Sequence, residues 1–374
     1  MEGANDLKNC ETNEHRATRG SLLIACVTTL AVVFTLALLH AAHNDAQGMQ
    51  NATAAYARQT ARVQELPLRD ARGLVGHNVK LEAAEHLGRK AVKVTKDPGS
   101  EAFALVSGSD FQDGTIEVDV AVKPTTPPGV RMPGFIGVGF RVRSDGSTYD
   151  LFYIRPGNAR ATDQAMRNHA VQYCAGPKFG WYELRRAWPW VYEAYTDIDR
   201  DAWTHLKIDV AGRTARIFVN GAAEPALSVE GLKGGDLRGA VALWGFESEE
   251  AYFSNLRITP ATPQPITNGS DIAGTWETML STDVGTYGGT LQLKREAGGV
   301  SGEWSGALGQ QLPVKGTWQN GYVELTFSGE WPKDGSGGGG VAAVTLAGWV
   351  DGSAGKGRGK IEDRADGQWT ATRK

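Results

Sequence analysis

A chain of 374 residues with 39 Lys and Arg against 42 Asp and Glu has a net charge of only −3, which excludes a dedicated polyanion binder, so no nucleic-acid partner is expected. The length suggests about two domains, and 48 Gly, 15 Pro and 11 Trp favour short strands and turns over helical bundles. Three cysteines, Cys10, Cys26 and Cys174, are too few for a disulfide framework or a thiolate metal cluster.

Residues 21–39 read SLLIACVTTLAVVFTLALL, an uncharged run close to the roughly 20 residues that span a bilayer as a helix. Lys8, Arg16 and Arg19 precede it and the next cation after it is Arg58, so the positive-inside rule expects residues 1–20 in the cytoplasm and the bulk of the chain outside, in a periplasm or on a cell surface. The alternative is a cleaved signal peptide, but the apolar run is long for one and His40 spoils a small-x-small cleavage site at Ala42. A signal anchor over 21–42 is therefore expected, followed over 43–70 by an Ala-, Gln- and Arg-rich stalk.

From 71 to 258 the chain breaks into short runs of alternating or β-branched character, among them TIEVDVAV, FIGVGFRV, YDLFYIR, WTHLKIDV, TARIFVNG and AVALWGF, each bounded by turn residues. Asn220-Gly221 and Asp145-Gly146 are hairpin signals, because such turns need positive φ. More than ten strands with no sustained helical period predict a two-layer β-sandwich. Glu117 and Asp119 share one face of TIEVDVAV; they suit either acid/base chemistry on a glycosidic bond or a solvated sheet face, and the solvated face is favoured. Asp197, Asp199 and Asp201 fail the EF-hand pattern and read as a polar turn.

The segment from Tyr153 to Tyr195 holds the densest mixture of Arg, His, Trp and Tyr and is too irregular for strands alone. Its aromatic faces suit sugar rings and its polar groups suit hydroxyls, giving Tyr153, Arg155, Arg167, Asn168, Gln172, Trp181, Arg185, Trp188, Trp190 and Tyr192 as candidate binding residues. His169 is the one candidate base near pH 7 there, with Asp163 or Glu193 to orient it; it reads equally as a structural histidine of NHAVQY. The tryptophans read equally as a cover over the sandwich.

Residues 259–270, TPATPQPITNGS, predict a linker, and 271–374 hold about eight strands separated by Gly turns, the pattern of a small up-and-down barrel. Trp276, Trp304, Trp318, Trp331, Trp349 and Trp369 are assigned mostly to its core. Gly335 to Gly340 satisfies G-x-G-x-x-G, but a strand pattern follows where a helix is needed, so no dinucleotide is expected; with no P-loop and no His at metal spacing, no cofactor or metal is expected either.

DGTIEVDV, GFIGVGFRVRSDGSTYDLFYIRP, WTHLKIDVAGRTARIFVNG and GAVALWGFESEEAYFSNLRIT together resemble the concanavalin-like jelly roll, in its bacterial laminin-G-like and 3-keto-disaccharide hydrolase-type branches. The resemblance implies a sandwich that binds or cleaves glycans across its concave sheet. The laminarinase-like branch carries E-x-D-x-x-E, and here Val122 stands in place of the third carboxylate. GTW near the start of the last segment and GQWTATR at its end resemble small lipocalin-like or avidin-like barrels. The expectation is an all-β, membrane-anchored carbohydrate-binding protein. The alternatives are a glycoside or 3-keto-glycoside hydrolase or lyase on the same sandwich, with His169 as base and Arg155 or Arg167 stabilising charge, and a surface interaction scaffold.

Overall fold

The computed structural model describes residues 62–98, 101–124, 133–235, 238–246, 249–264, 271–319, 321–331 and 339–374. The expected cytoplasmic tail, the membrane segment 21–42 and most of the 43–70 stalk lie outside these residues. No described helix is long and apolar enough to cross a membrane.

Strands are numbered in chain order: β1 (Gln64–Leu66), β2 (Leu74–His77), β3 (Val79–His86), β4 (Arg89–Lys96), β5 (Phe103–Val106), β6 (Gly114–Pro124) and β7 (Ile136–Val142). After β8 (Tyr149–Ile154) come two short helices, α1 (Pro156–Ala159) and α2 (Gln164–Arg167), then β9 (Val171–Gly176), helix α3 (Trp181–Ala187) and β10 (Glu193–Ala194). The series ends with β11 (Thr204–Ala211), β12 (Thr214–Val219), β13 (Leu227–Glu230), β14 (Ala240–Gly245) and β15 (Glu249–Pro260).

These strands form two antiparallel sheets, one ordered β13-β12-β11-β6-β15-β4-β3 with β1 also on β15, the other β10-β9-β8-β7-β14-β5-β2. The chain passes repeatedly from one sheet to the other, which makes a jelly-roll-type sandwich. Period-two alternation on β6 buries Ile116, Val118, Val120 and Val122 to at most 3% exposure, and they share a core with Val138, Phe140, Phe152 and Ile154 of the other sheet. Glu117 and Asp119 consequently point outward, where Asp119 accepts from Arg89 Nη1 (2.7 Å) and Asn255 Nδ2 (2.8 Å) and lies 2.9 Å from His205 Nδ1. Asn220 and Gly221 both take positive φ (51° and 71°), as the hairpin signal requires, yet the connection runs on to Ala226 before β13 begins.

The second strand series is β16 (Gly274–Thr282), β17 (Gly285–Glu296), β18 (Gly299–Gly306), β19 (Gly309–Gln319), β20 (Tyr322–Trp331), β21 (Gly340–Asp351), β22 (Ala354–Ile361) and β23 (Ala365–Arg373). It closes into an eight-stranded barrel in which β16 pairs with β23. Inward-facing Trp276, Trp304 and Trp369, each at most 2% exposed, fill it together with Leu280, Leu291 and Leu346. Trp304 stacks on Phe327 at 5.0 Å, and Gly289 makes room for it: a Cβ there would stand 2.6 Å from Trp304 Cε2. Gly289→Ala is expected to destabilise the protein by about 1–3 kcal/mol through overpacking, read by urea unfolding; an unchanged midpoint would mean that the indole has room to shift.

Residues 61–374 cluster as one unit. Tyr322, Ala347 and Trp349 turn away from the barrel interior into the sandwich core. The Trp349 indole N–H donates to Leu232 O, the Arg213 guanidinium lies 3.2 Å from the Trp349 ring centre, and Tyr322 meets that ring edge-on at 5.1 Å. Lys233, 4% exposed, donates from Nζ to the Tyr322 hydroxyl at 2.5 Å and sits among the rings of Tyr322, Phe179 and Tyr192. Residues 64–66, at the end of the expected stalk, instead pair with β15, because Leu66 packs against the core. Of the linker 259–270, Thr259 and Pro260 belong to β15, Ala261 and Gln264 donate backbone N–H groups to Asp113, and 265–270 lie outside the described residues.

Candidate functional site

The outer face of the β10-to-β2 sheet is apolar. Phe103, Leu151, Tyr153, Cys174, Ala242 and Trp244 form a second cluster there, none more than 8% exposed. A sheet hydrophobic on both faces needs a cover, and the chain supplies it from residues 133–135 and from the insertion after β8. Between cover and sheet lies a cavity of about 470 Å³, within the range that holds small ligands. Alternate residues of β8, Tyr149, Leu151 and Tyr153, line it from the sheet with Cys174 and Trp244; Phe135 and Phe246 also border it. Arg155, Asn158, His169, Trp181 and Arg185 line it from the insertion.

Arg155 is 4% exposed and organises one end. Its Nη1 donates to His169 O (2.8 Å), and its Nη2 to the Tyr153 hydroxyl (2.8 Å) and Gln172 Oε1 (3.2 Å). The Gln172 amide is fixed in turn by donating to the carbonyls of Tyr173 (2.9 Å) and Tyr192 (3.0 Å). The guanidinium also lies 4.9 Å from the Tyr153 ring centre, a cation–π distance.

Beside it, His169 Nδ1 stands 2.8 Å from Glu193 Oε2, a close polar contact whose alignment falls short of a hydrogen bond. Arg185 holds Glu193 with both arms of its fork, Nε to Oε1 (2.8 Å) and Nη2 to Oε2 (2.6 Å), and packs over the Trp181 ring. Burial lowers the His169 pKa, and although Glu193 pulls it up, Arg185 and Arg155 add to the lowering, so the imidazole is neutral at pH 7. Burial also pushes the Cys174 thiol up to about 12, which makes it an apolar lining group and not a nucleophile. The Tyr149 phenol is raised by burial first and then by the nearby Glu101 carboxylate.

Of the residues singled out in the sequence, Tyr153, Arg155, His169, Trp181 and Arg185 border the cavity, and Gln172 and Glu193 brace them from behind. The others lie elsewhere. Trp188 and Tyr192 are 7% and 2% exposed in the sandwich core. Asp163 caps α2 by accepting from Ala165 N, while Arg167 and Asn168 are bound to Gln164 of the same short helix. Trp190 is 58% exposed, with its ring stacked parallel to His169 at 5.4 Å and its backbone at φ 66°. Phe135, Tyr149, Trp244 and Phe246 were not anticipated. Their signal is an aromatic residue within or flanking a strand that carries apolar residues on both faces, as in FIGVGFRV, YDLFYI and AVALWGF, which an open sheet face does not produce.

No family model and no curated protein matches the chain. Solved structures similar to it include the carbohydrate-binding module CBM66 from Bacillus subtilis, at 17% identity over 50% of this chain and 95% of that one, with a TM-score of 0.34. A Bacillus subtilis protein of unknown function with a galectin-like fold is similar at 12% identity over 54% and 96% of the two chains, TM-score 0.35. The exoplasmic/lumenal domain of VIP36, in a Ca²⁺/Man3GlcNAc-bound form, is similar at 10% identity over 55% and 92%, TM-score 0.38. Likeness at this level leaves the chemistry of the site to its own side chains.

Proposed function

We propose that the protein binds carbohydrate in this cavity and is held at a membrane by residues 21–42, with the sandwich and barrel on the extracytoplasmic side. The observation that carries the binding reading is the pairing of an aromatic lining with fixed polar groups at one end. Tyr149, Tyr153, Trp181 and Trp244 offer ring faces to the apolar side of a sugar, and Arg155 and Asn158 offer hydrogen bonds to its oxygens. The anchor reading rests on the uncharged run 21–39 and the cations before it.

Trp181 is 45% exposed at the cavity and, among the described residues, has only Tyr182 and Arg185 as ring neighbours, so its loss leaves the sheet intact. Trp181→Ala is expected to weaken glycan affinity about tenfold, or ~1.4 kcal/mol, with unfolding unchanged, as read by calorimetric titration of an oligosaccharide panel. Affinity within twofold of the unaltered protein would remove the cavity from the binding reading.

A second reading, hydrolysis or lyase chemistry on a glycoside, is favoured by one observation: a neutral imidazole at the cavity wall with Glu193 against its Nδ1. In that case His169→Ala abolishes product formation while affinity stays within a few-fold. Binding alone gives no product with either protein and an affinity nearly unchanged by the substitution.

A further inference from the structure

Arg155 has five N–H donors and uses three: one on Nη1 and both on Nη2. Its Nε–H and second Nη1–H have no protein acceptor among the described residues, at a side chain that borders the cavity. All three acceptors it does have are neutral oxygens, so a cation 4% exposed carries its charge with no carboxylate partner among the described residues. An enclosed charge without a counter-ion is costly, and a ligand that supplies one binds with that cost relieved.

The acids nearby do not fill the role. Glu193 is already neutralised by the fork of Arg185. Glu101 also borders the cavity, where its charge acts on Tyr149 and Cys174, and it forms no ion pair with Arg155 among the described residues.

We propose that the cavity takes a sugar bearing a carboxylate, a hexuronate unit, with its carboxylate accepting from a free donor of Arg155 and its ring against the aromatic lining. The proposal rests on the carbohydrate reading above and names its ligand class. A single guanidinium matches a single carboxylate in charge. A phosphate dianion would bring a second charge that no other unpaired cation among the described residues lining the cavity offsets.

The test is calorimetric titration of the full chain, kept in a detergent without a sugar headgroup, against oligomers of glucuronate, galacturonate, mannuronate and guluronate. Each is paired with its carboxyl methyl ester and its carboxyl-reduced neutral form. The expected result is at least tenfold tighter binding of one acid than of its ester, with the preference falling to less than threefold in Arg155→Gln. Should that variant fail to fold, because Arg155 also holds His169 and Tyr153, the acid-to-ester ratio on the unaltered protein still decides. Equal binding of acid, ester and neutral sugar would overturn the uronate assignment and leave the carbohydrate reading standing. Binding of none of them, nor of any neutral oligosaccharide, would overturn both.

Discussion

Trp349→Ala is expected to cost about 3–5 kcal/mol of unfolding free energy, the range for deleting a fully packed indole. Trp349 is 4% exposed although it belongs to a barrel strand, because its ring is buried against the sandwich, under Arg213 and beside Tyr322. The substitution empties that volume and leaves the Leu232 carbonyl without its indole donor. Urea unfolding followed by fluorescence checks it, with a second expected sign: a single transition in the unaltered protein that splits in two as barrel and sandwich lose their shared core. A loss below about 1 kcal/mol would show that the ring contributes little to the junction.

Lys233→Met has the opposite expected sign, a gain of about 3 kcal/mol at pH 7. Burial is the main cause that lowers the Lys233 ammonium to about 7 from 10.5; Lys178 and Arg358 add to the lowering and Glu324 opposes it. Between pH 7 and 10.5 the unfolded chain holds a proton that the folded chain does not, so the native state gains stability as pH rises through that window, by up to ~1.4 kcal/mol per unit. Below pH 7 the full penalty is present. Methionine removes the penalty but also removes the donor to the Tyr322 hydroxyl, which offsets about 1 kcal/mol of the gain. Unfolding free energies at pH 7 and 9.5 for both proteins test it. The alkaline rise should be present in the unaltered chain and absent in the variant, and parallel pH profiles would sink the assignment.

The β-sandwich and the eight-stranded barrel were legible because alternation and glycine turns are local: β6 buries every second residue as its sequence implies, and the barrel's strand count follows from its turns. The docking of the barrel was not legible. Tyr322 and Trp349 sit at outward barrel positions, and a strand pattern cannot say whether an outward aromatic meets water or another layer. The same limit applies within the insertion. Trp188 and Trp190 stand two residues apart in an Arg- and Trp-rich stretch, yet one is 7% exposed and the other 58%, because the chain turns between them with Trp190 at positive φ. A third of the cavity lining comes from strands β8, β9 and β14, whose apolar residues read simply as core, although they line a cavity on their outer side.

The pairing of β16 with β23 leaves the barrel no unsatisfied ladder on which a second molecule can template. The open margins among the described residues belong to the sandwich, where β10 is two residues long and β13 four. β1, three residues, β2, also four, and β3, eight residues with Lys80, Glu82 and Glu85 along it, complete the set. Such short or charged margins are poor seeds for edge-to-edge aggregation, so a chain this rich in β-structure can be crowded without zipping into fibres.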